Sequence, residues 1–229
     1  MKTSCLVLLA ALLPTAAHAA ETNAPALVIY TSGIGLSSAK PGPQFVAALW
    51  SDGRIVWSES RVQGAPPYQQ GRFPHEKLAA LMETLDRQGV FNDKALARAW
   101  LGPDSKFTTI AIDDGRRRLK MQSWHELFEQ KTNLVATAAG ITPLRGQKRE
   151  DVLQAQPEEY RRFRNTWSEI RQVVAALIPQ TGTPYADEIP LPERLFQKPV
   201  AADVSPLHSP QKQSGLTSAA TVLKGAPKK

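Results

Sequence analysis

Hydrophobic and polar residues alternate along two pairs of short segments, and each pair is joined by an Asp-Gly sequence. The first pair is 44–50 and 54–59, around Asp52-Gly53, and the second is 107–112 and 117–122, around Asp114-Gly115. Asp-Gly between segments of this kind is typical of a β-hairpin. A shorter apolar run at 27–31 predicts one further strand. The pattern therefore predicts an antiparallel sheet of about five strands.

The spacing around each turn predicts which side chains share a face of the sheet. If Asp52-Gly53 is a two-residue loop, Trp50 and Trp57 are diagonal neighbours on one face, which we expect to be core. In the second hairpin the two faces differ in polarity. One face carries Ile110, Leu119 and Met121, and the other carries Arg118, Lys120 and Gln122. We therefore expect one face of this sheet to be open to water.

Apolar residues recur at helical spacing in two longer segments. One lies between Pro74 and Gly89. The other, 157–178, carries six large apolar residues at intervals of three and four, which are Tyr160, Phe163, Trp167, Ile170, Val174 and Leu177. This helix seam, 160–177, either packs on the sheet or docks a partner helix, and the sequence leaves both readings open.

Two further helices are predicted, at 93–100 and from 123 to 139, the second opened by a capping box of Ser123 and Glu126. The order of hairpin, helix, hairpin and helix predicts an α+β fold. In this fold the helices pack on one face of an antiparallel sheet, and a long helix ends the domain.

The first residues have the pattern of a cleavable secretory signal peptide. Lys2 precedes an apolar run at 5–13, and Ala17-His18-Ala19 supplies the small residues that a signal peptidase recognises. The run is far shorter than the roughly 20 apolar residues that a membrane-spanning helix needs. We therefore predict a signal peptide at 1–19, export to the periplasm or beyond the cell, and no transmembrane segment after cleavage.

The remaining chain divides into a predicted single α+β domain at 24–179 and a tail at 180–229. The tail holds seven prolines in fifty residues and has no periodic apolar stripe. Such a segment cannot offset its ordering entropy by burial, so we expect it to be mostly disordered, especially at 203–229. Residues 185–196 are expected to lie against the domain through Ile189, Leu191 and Phe196.

Composition excludes several kinds of chemistry. Cys5 is the single cysteine and lies in the predicted signal peptide, so the mature chain has no thiol nucleophile, disulfide or sulfur ligand. The net charge is +7, but basic residues exceed acidic ones evenly: 14 to 12 at 20–144, 7 to 5 at 145–179, and 6 to 4 from 180. Because nucleic-acid binding needs a clustered basic surface, we expect no nucleic-acid partner.

No motif predicts a catalytic, cofactor-binding or metal-binding residue. His75, His125 and His208 are each isolated from other histidines, whereas zinc requires clustered ligands. The candidate partner or ligand surface is formed by Trp124 and His125 after the last predicted strand, together with the basic run Arg116-Arg117-Arg118.

A structural resemblance accompanies these patterns. The stretch 45–91 consists of a strand, a Ser-Asp-Gly-Arg turn, a second strand and an amphipathic helix ending in Gly-Val-Phe, and a second strand pair follows it. In this it resembles small exported bacterial domains of unknown function. The shared features are turn glycines and core positions, so the resemblance implies a fold and no site.

These observations favour a non-enzymatic envelope protein, a binding or scaffolding module with an envelope protein or glycan as partner. The alternative is a hydrolase of cell-wall or polysaccharide material, with Trp124 and His125 as its site. We expect neither cofactor nor metal, and the sequence leaves the oligomeric state open.

Overall fold

The computed structural model describes residues 24–33, 42–100, 106–130 and 133–191. The predicted signal peptide and the tail at 203–229 lie outside these residues, as does Phe196. All elements described below belong to the unit that ends at Phe196.

A seven-stranded antiparallel sheet forms the centre of the fold. The five predicted strands are β1 (Leu27–Gly33), β2 (Gln44–Leu49), β3 (Arg54–Ser58), β5 (Lys106–Asp113) and β6 (Arg118–Ser123), and β4 (Tyr68–Arg72) and β9 (Thr183–Tyr185) complete the sheet. The strand order is β6-β5-β1-β2-β3-β4-β9. The first strand thus lies between the two hairpins, and the fold is α+β as predicted.

Helices cover one face of this sheet. They are α1 (His75–Arg87), α2 (His125–Glu129), α3 (Arg149–Gln154) and α4 (Glu158–Leu177), and a separate two-stranded hairpin, β7 (Leu134–Thr137) with β8 (Gly140–Pro143), lies between α2 and α3. All six residues of the α4 seam are buried in one cluster with sheet residues such as Ile29, Ile55 and Ile110. The seam is therefore core, and it presents no surface to a partner helix.

The first hairpin has a different register from the predicted one. Trp50 and Arg54 pair across a three-residue loop, in which Gly53 has a φ of 85°. Because this loop is one residue longer than the predicted turn, Ala47 pairs with Trp57. The prediction that Trp50 and Trp57 share a face is wrong: Trp57 lies under the helices and Trp50 on the opposite face.

The predictions of helices at 123–139 and 93–100 are also wrong. Among the described residues of the first region, His125–Glu129 alone is helical, and β7 and β8 follow it. The chain turns at Thr137 and Gly140, where the Thr137 hydroxyl donates to the Gly140 carbonyl at 2.8 Å. Residues 94–98 form turns rather than a helix, and Trp100 forms an isolated bridge to Ser123.

The second face of the sheet is covered over its central strands, whereas at β6 it carries the exposed Arg118 and the half-buried Lys120 and Gln122, as predicted. After β9 the chain crosses this face, where Ile189 is 4 % exposed. It packs in a cluster with seven other buried residues: Val28, Tyr30, Phe45, Ala48, Trp50, Val56 and Ala111. The chain from 183 to 191 therefore supplies an edge strand and part of a second core, in which Ile189 and Leu191 pack against the domain as predicted.

The loop between β3 and β4 requires glycine at position 64. Gly64 has a φ of 68°, and a Cβ there would lie 2.5 Å from the Gln44 carbonyl oxygen. We expect Gly64→Ala to lower the free energy of unfolding by about 1–3 kcal/mol, as measured by urea denaturation. Gly115→Ala is the matched control, because its φ is 87° but no atom lies within 4 Å of the added Cβ. Equal losses in the two variants would show that the contact at Gln44 is unimportant.

Candidate functional site: the cleft between α2 and α4

Two residues of the α4 seam and two arginines beside it form a hydrogen-bonding stripe along the helix. Tyr160, Arg164, Trp167 and Arg171 recur at intervals of four, three and four residues, so their side chains lie along one side of the helix. Each of the four donates a hydrogen bond to a residue of α2 or β7. This stripe therefore holds α2 and β7 against the long helix.

Glu126 joins α2 to the middle of α4. Its Oε1 accepts hydrogen bonds from the Trp167 indole nitrogen at 2.9 Å and from Arg171 Nε at 2.8 Å. The predicted capping box is therefore absent. The Ser123 hydroxyl instead accepts from the His125 backbone N–H at 3.3 Å, and the Glu126 carboxylate reaches across to the neighbouring helix.

Glu129 is the second acid on the same side of α2. Arg164 binds its carboxylate through two nitrogens, at 2.8 and 2.9 Å, and Arg149 lies 3.4 Å from it. The backbone N–H of Ala136 donates to the same carboxylate at 3.3 Å. The side chains of Glu129 and Arg164 are 13 % and 15 % exposed, so this is a largely desolvated ion pair.

His125 lies beneath these ion pairs and not on an open surface. Its ring is 4 % exposed, contacts the edge of Trp167, and holds Nδ1 2.7 Å from the Ser123 hydroxyl. Burial and then the positive charges of Arg164 and Arg171 lower the pKa of His125 well below its ordinary 6.5. The ring is therefore neutral at pH 7.

This neutral histidine makes stability depend on pH. Below about pH 6.5 the unfolded chain takes up a proton at His125 that the folded chain does not, so the free energy of unfolding falls as pH falls. We expect His125 to contribute up to about 1.4 kcal/mol per pH unit until its folded-state pKa is reached. Urea denaturation at several pH values should show a shallower slope in His125→Asn. His75→Asn, on an exposed ring, retains His125 and should keep the wild-type slope.

A cleft of about 460 Å³ opens beside these groups. Arg61, from the loop between β3 and β4, stands across from α4, and its backbone carbonyl accepts from Arg171 Nη2 at 2.7 Å. Within the described part of the chain, the Arg61 guanidinium forms no hydrogen bond or ion pair. Burial and the neighbouring Arg171 lower the pKa of Arg61, but a guanidinium stays charged at neutral pH.

The structure separates the residues of the predicted surface. Arg116, Arg117 and Arg118 lie at the start of β6, whereas Trp124 and His125 follow its end, roughly 17 Å further along the strand. Arg116 is exposed, and Trp124 is half-buried with its ring 4.6 Å from that of Phe128.

Two of the three arginines of the basic run are engaged in ion pairs. Arg117 lies 3.0 Å from Asp86 and 3.5 Å from Asp114, and Arg118 lies 3.7 Å from Asp113. Of the five predicted surface residues, only His125 lines the cleft.

Sequence reasoning missed most of the cleft. The sequence patterns single out none of Arg61, Arg164 and Arg171. A usable signal was present: acids at 126 and 129, one helical turn apart, and arginines at 164 and 171, two turns apart, are spaced to pair between adjacent helices.

No protein-family model matches this sequence, and no curated protein matches it.

Among the described residues, no group of three histidine, cysteine, aspartate or glutamate side chains is arranged to hold a metal ion. None of the helices in the described part of the chain is both long and apolar enough to cross a membrane.

Proposed function

We propose that this protein is exported to the cell envelope and acts there as a non-enzymatic binding module. The signal-peptide pattern at 1–19 and the resemblance of 45–91 to exported domains support export. Because the α4 seam is buried, the proposed binding surface is the cleft between α2 and α4.

One observation carries the binding proposal: the groups that hydrolysis would use are bonded within the fold. A general acid or base must come within hydrogen-bonding reach of a substrate. Arg164 holds Glu129, and His125 is buried with its Nδ1 beside Ser123. Arg171 holds Glu126 through Oε1, while Glu126 Oε2 forms no hydrogen bond to the described residues but is buried, out of reach of a substrate. The Ser123 hydroxyl is itself buried, so it offers no nucleophile to a substrate. Fixed charges of this kind favour recognition over proton transfer.

The proposal is tested by mixing purified protein with isolated envelope material. Saturable co-sedimentation, with no soluble product released over many hours, is the expected result. Catalytic release of peptide or sugar fragments by the wild type would overturn the proposal in favour of a hydrolase.

Export is tested separately by fractionating cells and determining the N-terminus of the protein. We expect a chain in the envelope fraction that begins at Ala20 or Glu21. An uncleaved chain confined to the cytoplasm would overturn this part of the proposal.

A further inference from the structure

Arg61 and Arg171 line the same cleft, and each has nitrogen atoms that form no hydrogen bond to the described residues. Arg171 uses Nε to bind Glu126 and Nη2 to bind the Arg61 carbonyl, and its Nη1 makes no hydrogen bond to the described residues. The Arg61 guanidinium is close enough to Arg171 for the two charges to repel each other, and the carboxylate of Glu59 offsets this repulsion in part. An anion placed between them would relieve this repulsion and accept hydrogen bonds from both groups.

The charge of the cleft indicates the charge of its ligand. Its lining contains three arginines, Arg61, Arg164 and Arg171, and two acids, Glu126 and Glu129, and His125 is neutral. Glu59 is outside the lining and also interacts with Arg61, and the lining alone carries one net positive charge. A ligand group with a single negative charge would balance it.

The shape and the lining favour a carboxylate with a short carbon skeleton. The planar fork of a guanidinium matches the two oxygens of a carboxylate. Next to the arginines the wall of the cleft is apolar, formed by Val46, Val174 and Ile178, while Ser168 and Gln172 lie along α4. The volume of about 460 Å³ lies within the range of small-molecule sites.

We infer that the cleft binds the carboxylate of a small acidic ligand between Arg61 and Arg171, with the aliphatic part of the ligand against Val46 and Val174. This inference rests on the proposed binding function and names the chemical class of its ligand. The third arginine of the lining does not contact the ligand, because Glu129 occupies its two terminal nitrogens.

The probe for this site is butyrate, a monocarboxylate with a short alkyl chain. Nuclear magnetic resonance of protein labelled at its arginine side chains should show saturable shifts of the Arg61 and Arg171 Nε–H signals at constant ionic strength. Arg61→Gln should weaken butyrate binding at least about tenfold, since hydrogen bonds between charged groups are worth about 1.5–3 kcal/mol. Arg87→Gln removes an equal charge on an exposed part of α1 and should leave binding unchanged.

Two further probes decide the chemistry. Butanol has the same alkyl chain without the charge, and it should leave both signals unshifted. Tighter binding of inorganic phosphate than of butyrate would overturn the carboxylate assignment, and unshifted Arg61 and Arg171 signals with butyrate would overturn the site.

If Arg61→Gln still co-sediments with envelope material as the wild type does, the inference fails while the proposed binding function stands. Catalytic turnover overturns the proposed function whether or not butyrate binds.

Discussion

Trp167→Ala is expected to lower the free energy of unfolding by about 3–5 kcal/mol. The indole is 2 % exposed in the middle of α4, between Phe163 at 5.6 Å and His125 at 5.1 Å from ring centre to ring centre. Truncation to alanine leaves a cavity among these rings and removes one of the two donors to Glu126. Urea denaturation followed by circular dichroism measures the loss.

Trp167→Phe separates packing from hydrogen bonding. Phenylalanine retains an aromatic ring in the core but cannot donate to Glu126, so the loss should be smaller than in Trp167→Ala. A loss below about 1 kcal/mol in Trp167→Ala would contradict a buried position for this side chain.

Glu129→Gln is expected to cost about 3 kcal/mol or more. The substitution keeps the shape of the side chain but leaves the guanidinium of Arg164, which is 15 % exposed, without its counter-charge. A buried charge that loses its partner retains its desolvation cost, and this explains the size of the effect. The same denaturation measurement applies.

The matched control is Glu159→Gln, at an acid that pairs with Arg98 on the surface. The two side chains of that pair are 42 % and 59 % exposed, so the loss should stay within about 1 kcal/mol. In a double-mutant cycle, Arg164→Met and Glu129→Gln should couple by roughly 0.5–3 kcal/mol. Additive effects would mean that the two side chains do not stabilise the fold as a pair.

The sheet and the long helix were largely predictable because their signals are local. The turns at Asp52-Gly53 and Asp114-Gly115 specify hairpins over a few residues, and the α4 seam repeats over several helical turns. The register of the first hairpin was not predictable in this way. A single extra residue in the loop moves Trp50 to the other face, and the residue types alone do not determine the loop length.

The elements missed from the sequence depend on distant contacts. The strand at Tyr68–Arg72 is polar and rich in glutamine, and it forms because β3 and β9 flank it. The hairpin after α2 is fixed by Tyr160, whose hydroxyl donates to the Ala136 carbonyl at 3.0 Å. The cleft was missed for the same reason, because Arg61 and Arg171 are 110 residues apart in the chain.

The last described strand of the sheet is also the last to be synthesised. Ile189 covers a face whose first members, Val28 and Tyr30, belong to the strand of this sheet that is synthesised first. A nascent chain therefore carries an apolar surface that stays without this cover until almost all of the described residues have been made. In an incomplete chain an exposed apolar surface of this kind favours aggregation.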